Sequence, residues 1–434
     1  MRLLLILMLI SLAGLVQAAE RSSEIEKFDL KKAIAFAVEN SPTFDSMKRQ
    51  LKISQLDEES AEAKLLPSLD LTATHGILDS SPRKTTSPWN SEFNLGITES
   101  LYDNGVTRIN SQIAKLNRKQ AELNFEDQKN KVSLDIVSQY LIYSLNIKLL
   151  EIQEKQFKLI SRQYERISRD YHQGIKTKKD FLRFKTQVSR GEINLVTAQG
   201  TVEKSKQELQ RLMSLPQKLN AEVDFVPISL EAVKNEVPDT TLEIENHLQS
   251  RAAQIQKEAN QLSRDLISRK TLPEWYLSTG LDYTSSNYAG TGQSFFDNAR
   301  TGWSALVTVK YNFFDWGTRA RDKEVAFHKS VVQNNDLDSN LLLLQSSMKQ
   351  VLINVKQVQR NFGLAKELLA LERDNIDYIE REYRNGKVQY LDLISGLNSV
   401  SDAEIQFYSA VSDLQTTRYT LLYHQGKLYE ELLK

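Results

Sequence analysis

The chain of 434 residues contains no cysteine. It therefore has no disulfide bonds, and it has no thiol for an N-terminal lipid anchor. Basic and acidic residues are equal in number, 56 of each, so no bulk charge points to nucleic acid or to an acidic partner. Glycine occurs only 16 times, and this scarcity favours helical structure.

Long apolar runs are missing after the N-terminal segment. Residues 1–18 predict a secretory signal, with Arg2 as the positive start, Leu3 to Val16 as the apolar run and Ala18 before the cut. The alternative is an uncleaved anchor, but the run is short of the roughly 20 apolar residues that a spanning helix needs. If the mature chain enters a membrane, it must do so as β-strands.

The motifs of common enzymes are also missing. There is no phosphate-binding glycine loop, no Gly-x-Ser-x-Gly and no His-Glu-x-x-His. The histidines show no metal-ligand spacing; they are His75, His172, His247, His328 and His424. We expect a protein that is not an enzyme and that binds no metal or cofactor.

A long heptad pattern dominates the second half of the chain, from Gly317 to Tyr383. Its apolar positions alternate in steps of four and three residues, which predicts one helix packed against other helices. Such a helix would be roughly 100 Å long at 1.5 Å per residue. The seam consists of Leu337, Leu341, Leu344, Met348, Val351, Val355, Val358, Phe362, Ala365, Leu369, Ile376, Ile379 and Tyr383.

Two segments alternate with a period of two and predict β-hairpins. The first covers about 67–102, with a loop at 79–90, and the second covers about 273–314, with a loop at 285–298. Aromatic residues lie near the strand ends, which is typical of outer-membrane barrel strands. A soluble sandwich edge is the alternative. Four strands cannot close a membrane barrel, so several copies would have to share one: two copies give eight strands and three give twelve.

An internal duplication relates the two halves of the chain. Tyr102-Asp103-Asn104-Gly105 and Phe314-Asp315-Trp316-Gly317 lie 212 residues apart, and the segments at 169–174 and 381–386 have the same offset. Pro67 and Pro273 are offset by 206. We predict a first repeat at 19–213, a linker at 214–240 and a second repeat at 241–434, each repeat a helix–hairpin–helix–helix unit.

With these features the chain resembles the TolC-like outer-membrane efflux protein family. The resemblance covers nearly all of the mature chain, through the signal, the two hairpins, their Tyr-Asp-Asn-Gly and Phe-Asp-Trp-Gly ends, and the paired tips at about 171–180 and 383–392. The implied fold is mainly α with transmembrane β. A homotrimer would share one outer-membrane β-barrel, four strands per protomer, continuous with a long periplasmic α-barrel, and the linker and C-terminal segment would form an equatorial layer.

The resemblance also implies partners and a periplasmic gate. The partners would be a periplasmic adaptor protein, an inner-membrane transporter of the ABC or RND type, and outer-membrane lipid, without nucleic acid. Tyr383, Asp392 and its counterpart Asp180 match the gate pattern, and Gly174 and Gly386 would belong to adaptor-docking tips. Val388 and Ser395 stand where the family prototype has an arginine and a second aspartate, so the resemblance does not extend to a basic latch or a second acidic ring at these positions; Lys387 or Lys179 could substitute for the arginine.

Both sets of tip residues also have plain structural interpretations. Asp180 and Asp392 could simply be N-caps of the return helices, and the glycines could be turn residues after a helix end. For the whole protein, the alternative to a channel of efflux or type I secretion is an exported coiled-coil scaffold without a pore. The sequence identifies neither the substrate nor the pump.

Overall fold

The computed structural model describes residues 26–77, 88–215, 223–230, 242–288 and 299–433. The predicted signal and most of the predicted linker lie outside these residues. The described part is mainly helical. Its helices are α1 Leu30–Asn40, α2 Pro42–Ala63, α3 Val106–His172, α4 Lys178–Leu212, α5 Leu248–Arg269, α6 Thr318–Arg384, α7 Tyr390–His424 and α8 Leu428–Leu433. Its strands are β1 Glu26–Phe28, β2 Ser68–Ile77, β3 Pro88–Tyr102, β4 Val223–Phe225, β5 Glu274–Tyr288 and β6 Ala299–Lys310.

The predicted duplication appears in the helix lengths. Helices α3 and α6 each have 67 residues, α4 and α7 each have 35, and α2 and α5 each have 22. The first two pairs start 212 residues apart, at Val106 and Thr318 and at Lys178 and Tyr390. The duplicated unit that the sequence predicts is therefore present in the fold.

The chain divides into two compact units, each described by itself. The sheet unit comprises Met47–Phe125 and Leu248–Leu343, and the described residues of the helical unit fall within Met1–Ser46, Glu126–His247 and Leu344–Lys434. Strands β2, β3, β5 and β6 belong to the sheet unit, whereas β1 and β4 belong to the helical unit.

The sheet unit contains a four-stranded antiparallel sheet in the order β2-β3-β5-β6. In the middle of the sheet, apolar and polar rows alternate across all four strands. Leu71, Leu95, Leu281 and Trp303 form one row, and Thr72, Asn94, Asp282 and Gly302 form the next. All four side chains of the apolar row are exposed. In the polar row, the Asn94 amide donates a hydrogen bond to Asp282.

The helical unit is built around Tyr140 on α3. Its ring is fully buried beside Phe225 of β4, and its hydroxyl oxygen lies 2.7 Å from the Phe28 carbonyl oxygen and 2.8 Å from that of Val226. Strands β1 and β4 pair in parallel, so this one hydroxyl connects both of them to α3. Leu428 of α8 belongs to the same core.

Several predicted boundaries were wrong by a few residues. Strand β6 ends at Lys310, whereas the alternation of the sequence continues to Phe313, because its partner β5 begins at Glu274, opposite Lys310. The strands extend into the predicted loops, since β3 starts at Pro88 and β5 reaches Tyr288. The second repeat, predicted from 241 with a helix first, begins with a 3₁₀ turn at Ile244–Asn246, and α5 starts only at Leu248, because His247 has an extended backbone.

Candidate functional site: the helix tips

Two turns in the helical unit join the long helices to their return helices. At the first, the Ile175 N–H donates to the Asp170 carbonyl at 2.8 Å, and the Gly174 N–H donates to the Tyr171 carbonyl at 3.0 Å. At the second, the N–H groups of Lys387 and Gly386 make the equivalent bonds, each at 3.0 Å. This pair of bonds is the Schellman motif, which needs a left-handed residue after the helix end.

Gly174 and Gly386 are the left-handed residues, with φ of 77° and 74°. A Cβ atom built on either glycine would have nothing within 4 Å. The predicted role as turn glycines is therefore confirmed, and both positions lie on an open surface. Their role in adaptor docking stays a prediction.

The aspartates of the tips are not N-caps, so that prediction was wrong. The N-cap of α4 is Thr177, and the N-cap of α7 is Gln389. Asp392 is the third residue of α7 and accepts a hydrogen bond from the Gln389 N–H at 3.0 Å, which completes a capping box. Asp180 is likewise the third residue of α4, and its carboxylate accepts from the Thr177 hydroxyl at 2.8 Å.

The capping bonds leave the negative charge of Asp392 at the surface. Its side chain is exposed, whereas Asp180 is half-buried. Both carboxylates are ordered by their own helix ends, which fixes their position at the tip. Lys387, one candidate for a basic partner, instead lies 3.5 Å from Glu382 on the preceding helix.

Tyr383 contributes to an aromatic cluster that the sequence analysis missed. Its ring centroid lies 5.7 Å from that of Tyr390, and Tyr390 lies 4.5 Å from Phe184 of α4. Burial, with a smaller contribution from Tyr383, raises the pKa of Tyr390 well above its usual value. The cluster joins α4, α6 and α7 beside the second tip. The only signal in the sequence is that aromatic residues follow both tips, at Phe181, Phe184 and Tyr390.

A second stack supports the first tip. Phe181 lies parallel to Tyr171 with ring centroids 4.9 Å apart, and it also contacts Tyr164 at 5.8 Å. Each tip is thus a short polar turn held on an aromatic base. This arrangement fixes the tip backbone, while most of the turn residues themselves remain exposed to solvent.

The described residues contain neither a candidate metal site nor a candidate membrane-spanning helix. No group of three or more histidine, aspartate or glutamate side chains there has the geometry to hold a metal ion. Among the described helices, none combines the length and the apolarity that crossing a membrane requires.

Solved structures with the same fold cover almost the whole chain. The Campylobacter jejuni CmeC outer membrane channel has a TM-score of 0.82 at 13% identity, over 92% of this chain and 86% of that one. The Vibrio cholerae outer membrane protein VceC has a TM-score of 0.75 at 16% identity, over 93% and 96%. The open state of the Neisseria gonorrhoeae MtrE outer membrane channel also has a TM-score of 0.75 at 16% identity, over 92% and 89%.

At these identities the structural matches establish the fold. No curated protein sequence matches the chain. The family model described as "Outer membrane efflux protein" matches residues 33–214 and 241–426, one segment in each half of the chain. Since these segments make up most of the chain, the protein belongs to the outer membrane efflux protein family.

Proposed function

We propose that three copies of this chain form one conduit through the outer membrane, as the exit channel of a tripartite efflux or type I secretion system. The observation that carries the proposal is the four-stranded sheet with one exposed apolar face. An exposed face of leucine and aromatic side chains is costly in water and favourable in lipid. The alternating polar row would then line the inside of the conduit.

The edges of the sheet support the need for several copies. In the described sheet, β2 pairs only with β3 and β6 pairs only with β5. Unpaired strand edges are not tolerated in lipid, because their N–H and C=O groups find no hydrogen-bond partners there. Three copies supply twelve strands. An eight-stranded barrel would be filled by its own side chains, whereas a larger one leaves a lumen.

The partners that we propose follow from this position in the membrane. A periplasmic adaptor would bind the exposed tips around Gly174 and Gly386, and it would connect the channel to an inner-membrane transporter of the ABC or RND type. The transporter would select the substrate, while the channel supplies a passive route to the exterior.

We further propose that Asp392 charges the periplasmic mouth, together with Asp180, and that Tyr383 supports it. Three copies of an exposed carboxylate around one axis would repel one another and attract cations. Two observations support this role. The capping box fixes where the Asp392 carboxylate lies, and the contact of Tyr383 with Tyr390 holds the end of α6 against the start of α7.

The test is single-channel conductance of the purified protein in a planar bilayer. Asp392→Asn removes the charge but keeps an oxygen that can accept from the Gln389 N–H. We expect discrete channels in the wild type, and we expect this variant to lose cation preference and block by divalent cations. Asp402→Asn is the matched control, since Asp402 is exposed on the same helix. Absence of channels would overturn the conduit, and unchanged selectivity in Asp392→Asn would overturn only the gate.

A further inference from the structure

Two equivalent turns follow β3 and β6 and start the long helices. In the first, the Asp103 carboxylate accepts from the N–H groups of Gly105 at 2.9 Å and Thr107 at 2.6 Å. In the second, Asp315 accepts from Gly317 at 3.1 Å and Arg319 at 3.0 Å. The middle residues, Asn104 and Trp316, both have positive φ, 59° and 55°. The backbone of the two turns is therefore the same, and the middle side chain is what differs.

Asn104 attaches the first turn to the second repeat. Its side-chain amide donates to the carbonyl of Pro273, the residue before β5, at 2.8 Å. Asn104 itself is only 8% exposed. In return, Arg269 at the end of α5 donates to the Asn104 carbonyl at 2.9 Å. The turn after one hairpin is thus held by the start of the next hairpin in the sheet.

Among the described residues of its own chain, Trp316 has no contact that corresponds to the one between Asn104 and Pro273. It is 82% exposed and touches Phe314, with ring centroids 4.8 Å apart. The hydrogen bond to its carbonyl comes from Arg321 of its own helix, at 3.1 Å. A Cβ built on Gly105 would lie 3.3 Å from Arg269 Nη1, and one built on Gly317 would lie 3.3 Å from Arg321 Nη1. The same place is therefore filled by a guanidinium in both turns, from the next repeat in one case and from the turn's own helix in the other.

Arg321 takes the place of Arg269 at the second turn, and this difference fits the residues that a following hairpin could provide there. If the sheet continues past β6, the next strand is β2 of another copy, which starts after Leu66 and Pro67. The residue that corresponds to Arg269 at the 206-residue offset is Ala63, which has no group to donate. Pro67 is exposed, whereas its counterpart Pro273 is half-buried and its carbonyl accepts from Asn104; Leu66 and its counterpart Leu272 are both exposed.

We infer that Trp316 of one copy packs on Leu66 and Pro67 of the next copy, in the place that Asn104 takes on Pro273 within a chain. This contact rests on the proposed assembly of several copies. It would replace a polar intrachain contact by an apolar one between chains, and it would exclude water from the seam where β6 meets β2. Burial of an indole removes a large apolar area from solvent and suits the centre of an interface.

Trp316 could instead contact lipid at the membrane surface, where tryptophan is common. The two interpretations differ in whether residue 67 of another copy lies within crosslinking distance of residue 316. Because the chain has no native cysteine, engineered pairs give an unambiguous answer. The pair Trp316→Cys with Pro67→Cys reports on the contact between copies. The matched pair Asn104→Cys with Pro273→Cys reports on the observed intrachain contact.

Both pairs are treated with a short bismaleimide in detergent-solubilised protein, and native mass is measured on the same samples. We expect the first pair to give covalent dimers and trimers on denaturing gels, to an extent similar to the intrachain crosslinking of the second pair. Trp316→Cys alone and Pro67→Cys alone should give neither. A trimer that yields no covalent species would overturn the contact and leave the channel standing. A folded monomer would overturn both.

A second comparison needs no crosslinking. Trp303 is 78% exposed on the apolar face of the sheet, so it is matched to Trp316 in residue type and exposure. We expect Trp316→Ala to lower the temperature at which the assembly dissociates in SDS, and Trp303→Ala to lower it much less. Equal shifts from the two variants would mean that Trp316 acts as a lipid contact, and the inference would fail.

Discussion

At the scale of single residues, Tyr140 is the clearest structural determinant. Its buried hydroxyl lies within hydrogen-bond distance of the carbonyls of Phe28 and Val226, and the Phe28 carbonyl also accepts from the Val226 N–H at 3.0 Å. We expect Tyr140→Phe to lower the free energy of unfolding by about 1–3 kcal/mol, because a buried acceptor then loses its hydrogen bond. Thermal unfolding of the purified protein measures this. Tyr378→Phe, at an exposed position, should change little, and an equal loss in both variants would contradict the assignment.

His424 gives a prediction about pH. Burial, reinforced by neighbouring His247, lowers the pKa of His424 from 6.5 to about 4. Between these values the unfolded chain binds more protons than the folded one, so stability falls as the pH drops from about 6.5 to about 4. Below that window the loss is complete, and it amounts to about 3 kcal/mol.

The pH prediction is checked by thermal unfolding at pH 7.5 and pH 4.5. His424→Gln should reduce the difference in Tm between the two values, and the residual difference should come partly from His247, whose pKa is also lowered by burial. His172→Gln is the control, because His172 is exposed at the first tip. A pH dependence unchanged by His424→Gln would contradict the assignment.

Some residue roles could be predicted from the sequence and others could not. The turn glycines follow from local chemistry, since a glycine after a long helix satisfies a backbone need within a few residues. The pairing of Tyr140 with Phe28 and Val226 joins segments more than 80 residues apart, and no local pattern encodes it. Asp392 had been considered as the N-cap of α7, but the N-cap is Gln389, three residues earlier, and glutamine is not among the residues that usually take this position.

At the scale of elements, the tip turns can be tested with two glycine substitutions that should change the stability in opposite directions. Gly386→Ala places an L-residue in a left-handed conformation and should cost about 1 kcal/mol of stability. Gly363 lies exposed inside α6, and Gly363→Ala should instead stabilise by about 0.5–1 kcal/mol. Neither added Cβ meets an atom within 4 Å, so sterics do not complicate the comparison. Unfolding temperatures that move in the same direction would contradict it.

The long helices were the most predictable elements, and the strand ends were the least. Every member of the heptad seam from Leu337 to Tyr383 is buried or half-buried, so the pattern located the packed face of α6 correctly. A helix makes its hydrogen bonds within itself, and its pattern is therefore local. A strand ends where its partner ends, and the alternation up to Phe313 contains no information about where β5 begins.

At the scale of the whole molecule, the duplication accounts for most of what the sequence could predict. One repeat alone shows a weak hairpin pattern between helices, but two repeats with matching spacing identify the fold class. The difference between the repeats carries the additional information. Asn104 attaches one hairpin to the next within the chain, while Trp316 is left exposed at the end of the series. According to the proposal, the sheet therefore closes into a barrel only when other copies of the chain pair with its edges.

The number of chains in the purified, detergent-solubilised protein tests this proposal most directly. Native mass spectrometry counts the chains, and circular dichroism on the same sample reports whether the mainly helical fold is retained. We predict a complex of three chains, in which the edges β2 and β6 are paired between copies. A sample that remains monomeric while it keeps its helical content would contradict the account.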